Sequence, residues 1–131
     1  MRSLSREIVF KYIFSKLFNQ NDEGLFDVLC KELNNEDKDF ARILLTAIEA
    51  KEADYLQALE KLSISYKLNR IHNADKCTIL LGMAELDTFI DTPIPVIIDE
   101  AVKIAAKYST ENSTDFVNGI LGQYAKERNN G

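Results

Sequence analysis

Both prolines of this chain stand together, at 93 and 95, and its five glycines fall at 24, 82, 119, 122 and 131. Long stretches are therefore free of the two residues that interrupt helices, and the apolar residues inside them recur at helical rather than alternating spacing. The clearest case follows the prolines. Ile97, Ala101, Ile104, Ala105 and Tyr108 share one stripe, with proline at the helix start, where a missing N–H does no harm. Phe116, Val117, Ile120, Leu121 and Tyr124 form a second stripe, for which Asn112 or Ser113 can act as N-cap. Gly119, after Asn118 in mid-helix, costs about 1 kcal/mol against alanine, so it marks either the close approach of another helix or a functional surface.

The same reading along the chain predicts about seven helices, near residues 3–19, 22–33, 36–60, 62–68, 73–90, 95–109 and 113–127. Turns fall at residues 19–22, at Asn34-Asn35 and at Asp91-Thr92-Pro93, and Asn35 and Asn73 are candidate caps. Strand signals are almost absent, and the short connections favour antiparallel neighbours. The expected fold class is all-α: one domain over residues 1–131, built as two small antiparallel bundles that divide near residue 60. A chain of 131 residues can bury a core without metals or disulfides. Cys30 and Cys77 sit in apolar-periodic segments without metal-ligand spacing and read as small buried hydrophobes in a reducing, cytoplasmic setting.

Charge and motif narrow the function classes. The net charge is -5, with residues 1–20 carrying four bases against one acid and residues 21–60 four bases against eleven acids. The net field of such a protein repels nucleic acid, so any RNA contact has to be local. His72 is the single histidine, and no Ser/His/Asp or Cys/His set, phosphate loop or zinc spacing is evident. An enzyme, a cofactor and a metal site are therefore not expected. The apolar run after Arg6 is interrupted by Lys11, Ser15 and Lys16, which leaves no membrane segment to expect.

In the first helix Arg2, Arg6, Phe10, Phe14 and Phe18 form one line, with Val9, Ile13 and Leu17 beside it. An apolar face this wide implies either burial among several helices or an aromatic rim covered by a partner. Phe116 carries a similar choice, between a core aromatic and a platform for a base.

Residues 93–101, Pro-Ile-Pro-Val-Ile-Ile-Asp-Glu-Ala, followed by Phe116-Val117-Asn118-Gly119-Ile120-Leu121, resemble the NusB family of bacterial antitermination factors. Ser5-Arg6-Glu7 is similar to that family's opening helix, and Ile79 to Leu86 to the helix before the proline. The likeness covers nearly the whole chain, most closely from about Tyr66 onward. It implies a protein that joins the ribosomal protein NusE to bind boxA-type single-stranded RNA within an RNA polymerase antitermination complex, reading through terminators in ribosomal RNA operons. The residues it implies are Arg2 and Arg6 for phosphates, Phe116 for base stacking, Asn118 for an amide contact, and Phe14 and Asp75 for the protein partner. Together they are expected to form one small cationic corner ringed by aromatics. Ser3, Leu4 and Ser5 stand where relatives often run arginines together, and Asp115 precedes Phe116, so RNA affinity is expected to depend on the partner. A protein-interaction module or homodimer with weak or no RNA binding is the alternative.

Overall fold

The structure, a computed structural model, describes residues 2–17, 24–64 and 67–130. Among these residues there are six α-helices and one 3-10 turn: α1 (Arg2–Lys16), α2 (Leu25–Leu29), α3 (Asn35–Leu62), the turn Leu68–Arg70, α4 (Asn73–Thr88), α5 (Ile94–Tyr108) and α6 (Ser113–Asn130). No described helix is long and apolar enough to cross a membrane.

The best-marked helices start where local chemistry dictates. Pro93 stands at the α5 N-cap with φ -58°, and Pro95 lies in the first turn, where neither interrupts an intrahelical bond. For α3 the cap is Asn34 rather than Asn35: its side chain accepts the Asp37 N–H at 2.8 Å, and Glu36 and Asp37 place negative charge at the positive helix end. Asn73 is likewise the first helical residue of α4 and not its cap, a position taken by His72 without a side-chain hydrogen bond. Among the described residues the helix expected over 22–33 is confined to Leu25–Leu29, and those near 62–68 hold the end of α3 and the start of the 3-10 turn Leu68–Arg70. Phe18 lies outside the described residues.

The centre of the molecule is α4. Its residues from Ala74 to Glu85, with the partial exception of Lys76, are buried on every side, because α1, α3, α5 and α6 all pack around it. Gly82 makes the α6 contact possible: a Cβ there would meet Leu121 Cδ1 at 2.5 Å. Val9, Leu44, Leu59, Ile79, Met83, Val117 and Leu121 complete a single hydrophobic cluster that spans both expected halves of the chain. Each such side chain contributes about 1.5–3 kcal/mol by leaving water.

Polar ties fix the directions of the helices. Arg6 meets Glu85 while Arg2 lies over Phe89, so α1 runs antiparallel to α4. Ser113 meets Asp75 and Tyr124 meets Asp87, so α6 runs parallel to it. α3 bends at Lys51, where φ is -127° and ψ 18°, and touches the far end of α4 twice: Phe40 lies against Phe89 and Tyr55 donates to Asp87. Asp87 also accepts from Tyr124 and Arg128, which closes α3, α4 and α6 around one carboxylate.

Candidate nucleic-acid interface

The first residue expected at an RNA surface is found inside the protein. Arg6 is 4% exposed and donates from Nε to Glu85 Oε1 at 2.7 Å and from Nη2 to Glu85 Oε2 at 2.6 Å, with Glu100 3.6 Å from Nη1. Its role as a phosphate contact is corrected accordingly: a guanidinium held bidentately by one buried carboxylate and faced by a second is already neutralised. Four-residue spacing puts Arg6 on the same line as Phe10, and that line turns inward.

Arg2 is exposed. Its guanidinium rests 4.7 Å from the centroid of Phe40 and 5.6 Å from that of Phe89, a cation–π arrangement at the C-terminal end of α4. Phe116 lies at the opposite end. It is half-buried at the start of α6 and borders the same cavity as Asp75, in the first turn of α4. Thirteen residues of α4, Lys76 to Thr88, separate Asp75 from Phe89, which is roughly 20 Å of helix. Arg2, Arg6 and Phe116 therefore do not share one corner. The antiparallel run of α1 does bring Phe14 toward the Asp75 end, where it is half-buried and stacked on Phe10 at 5.7 Å; Phe10 in turn meets Tyr108 at 5.0 Å.

Asp75 was expected to face a protein partner, yet it is 4% exposed. Its Oδ2 accepts the Ser113 hydroxyl at 3.0 Å, while Ser113 Oγ accepts the Thr110 N–H at 3.2 Å and meets the Ser109 and Thr110 hydroxyls. This knot joins the α5–α6 turn to α4. The other oxygen, Asp75 Oδ1, is buried with no donor among the described residues. Asp75 thus offers an outside molecule only the floor of a cavity of about 170 Å³, whose rim carries Arg70, His72, Asn112 and Phe116.

Phe116 also borders a second, wider cavity of about 560 Å³, together with Lys61, Ile64, Gly119 and Gln123. Asn118 and Gly119 are exposed, and a Cβ on Gly119 would meet nothing within 4 Å. Among the described residues no helix comes within that distance, so of the two readings of this mid-helix glycine the open surface is the one that fits. The ring of Phe116 stands between two openings, with a base on each: Arg70 and His72 on one side, Lys61 on the other. Sequence reasoning did not place Arg70 or Lys61 in this site. Neither belongs to an apolar period, and only the tertiary fold, in which the 3-10 turn and α6 both pack on α3, brings them to the cavities that Phe116 borders.

One further polar seam borders this region. Glu7 accepts from Lys107 Nζ at 2.6 Å and from the Tyr108 hydroxyl, and these bonds, Lys107 first, hold its carboxyl below the usual range. Among the described residues no group of three or more His, Cys, Asp or Glu is placed to hold a metal ion.

Comparison with known proteins gives this arrangement its context. Residues 3–126 match the NusB family. The transcription antitermination protein NusB of Natranaerobius thermophilus is 32% identical over 134 residues, spanning 98% of this chain and 96% of that protein. The solved structure of T. maritima NusB superimposes with a TM-score of 0.90 at 34% identity, covering 97% of this chain and 92% of that one. A chain from a crystal structure of antitermination factors NusB and NusE in complex with double-stranded RNA shares the fold, with a TM-score of 0.82 at 23% identity and 96% of each chain covered. With a match along almost its whole length and the same helices in the same places, the chain belongs to the NusB family.

Proposed function

We propose that this protein is a transcription antitermination factor. Joined to a ribosomal protein of the NusE kind, it binds boxA-like single-stranded RNA and helps RNA polymerase read through terminators in ribosomal RNA operons, acting in the cytoplasm by binding and not by catalysis. The observation that carries this reading is the near full-length match to proteins named for antitermination, 32% identical over 98% of the chain. The geometry supports it with an aromatic ring on an open rim between two basic flanks, the combination that engages splayed bases and their phosphates.

In this reading Phe116 stacks a base and exposed Asn118 adds an amide contact on the same face of α6. Arg2 holds a phosphate farther along the strand, and Phe14 belongs to the surface that the protein partner covers. With Arg6 withdrawn into the core, few cations remain to hold RNA, so the partner has to complete the site.

The test is a titration of a boxA oligonucleotide by this protein, with and without the ribosomal partner. The expected result is binding that appears with the partner, weakens with salt and is lost in Phe116→Ala. Binding that is absent under every condition would favour the second reading, a NusB-like adaptor or homodimer, for which the burial of Arg6 is the specific support.

A further inference from the structure

We infer that the groove between the second half of α3 and α6 docks an amphipathic helix of a protein partner, with aliphatic residues on its buried face and lysine or arginine along its edges. The inference does not depend on RNA binding. It adds a second protein-docking surface to the one proposed around Phe14.

Two adjoining cavities make the groove. The cavity of about 560 Å³ that Gly119 borders and another of about 440 Å³ beside Tyr124 share Lys61, Leu62 and Glu127 in their walls. Along α6 the lining runs from Asp115 to Arg128, roughly 20 Å of helix. Along α3 it runs the other way: Asp54 shares a cavity with Arg128, and Ile64 shares the other with Asp115. The walls are therefore two antiparallel helices, and the seam between such a pair is a place for a third helix to lie.

The lining has the apolar centre and polar edge of a protein interface. Ile120 and Tyr124 line it from α6 and are buried, Ala58 and Leu62 line it from α3 and are half-buried, and the charged lining residues are exposed. Gly119 leaves the middle of the α6 wall without a side chain, and a Cβ there would meet nothing within 4 Å. A glycine so placed lets the backbone of an incoming helix approach closely.

Charge decides the occupant. Asp54, Asp115 and Glu127 line the groove and make no ion pair among the described residues. Arg128 is held by Asp87 at 2.8 Å and lies 5.4 Å from the centroid of Tyr124, so Lys61 is left as the lining base without a carboxylate among the described residues. Three free carboxylates against one free base repel a phosphate backbone or an anionic lipid surface and attract a cationic segment. The apolar lining selects, among cationic segments, one that carries aliphatic side chains at helical spacing.

The experiment titrates the full chain with three labelled synthetic peptides of about 14 residues, long enough to span the groove, and follows fluorescence anisotropy at physiological salt. In the first, leucines recur at i, i+4, i+7 and i+11 with lysines beside them; the second has the same composition with the leucines in alternation; in the third, serines replace the leucines. The first is expected to bind the unaltered protein, the second at least about tenfold more weakly and the third more weakly still. Gly119→Leu, which fills the open space, is expected to weaken the first peptide about tenfold, as is Asp54→Lys combined with Glu127→Lys. Asp39→Lys, toward the opposite end of α3, is expected to change its affinity by less than about twofold. No binding by any peptide overturns the inference. So does a serine or alternating peptide that binds as tightly as the first, an Asp39→Lys that weakens binding as much as the groove pair, or a folded Gly119→Leu that binds normally. Should Gly119→Leu fail to fold, the groove pair compared with Asp39→Lys decides. None of these titrations contains RNA or the ribosomal partner, so their failure leaves the antitermination reading intact.

Discussion

Arg6 and Glu85 sit 79 residues apart in sequence and 2.6 Å apart in space, both almost wholly removed from water. Removing one partner leaves the other charged, buried and unpaired. Glu85→Ala is therefore expected to lower the unfolding free energy by about 3–5 kcal/mol, read from the urea midpoint, whereas the double substitution Arg6→Met with Glu85→Leu is expected to recover most of that loss. Exposed Arg2, replaced by glutamine, is expected to change stability by less than about 1 kcal/mol. The α-helical glycines at 82 and 119 separate in the same way. Gly119→Ala meets open space and is expected to stabilise by about 0.5–1 kcal/mol, while Gly82→Ala drives a methyl into Leu121 and is expected to destabilise by about 1–3 kcal/mol, with thermal unfolding as the measurement. Part of this was legible in the sequence. The line Arg2, Arg6, Phe10 and Phe14 already placed Arg6 on an apolar face, but nothing local names Glu85 as the group waiting there. A mid-helix glycine, too, looks the same whether it admits another helix or faces solvent.

At the scale of elements, helix starts governed by neighbouring residues were readable and bends governed by tertiary contacts were not. α5 and α6 begin within a residue of where Pro93, Pro95 and Ser113 put them. The bend of α3 at Lys51 has no proline or glycine to announce it and accompanies the double contact of Phe40 and Tyr55 with the end of α4. The seam between α1 and α5 has a pH dependence of its own. Glu7 is held below the ordinary carboxylate range by the Lys107 and Tyr108 hydrogen bonds, so its contribution to stability is fully present above that range. It is lost only as pH falls through the lowered value, because protonation then removes the acceptor. The gap in melting temperature between the unaltered protein and Glu7→Gln is therefore expected to stay constant from neutral pH down to the usual carboxylate range and to close below it. A gap that widens with acid would contradict this tie. Burial pushes the Cys77 thiol up to about 12, with Glu52 adding to the shift, and alkylation of Cys77 is expected to await unfolding.

For the molecule as a whole, the sequence pattern pointed to an all-helical chain of the NusB family, and the structure has α1, α3, α5 and α6 packed around α4 in a fold that superimposes on T. maritima NusB. The expected site was less legible, since helical periodicity reports which face a residue occupies and not which end of a bundle it reaches. That is why Arg2 and Phe116, grouped together by resemblance, stand at opposite ends of α4, and why Arg70 and Lys61 join Phe116 unannounced. In the proposed function, a protein of net charge -5 binds RNA through a few such local cations, and their position determines where a strand runs. The direct measurement is photocrosslinking of a boxA oligonucleotide in the complex with the ribosomal partner, followed by identification of the crosslinked peptides. Crosslinks in the segments around Arg70 and Phe116 are the expected result, and crosslinks confined to the first turns of α1 would contradict the account.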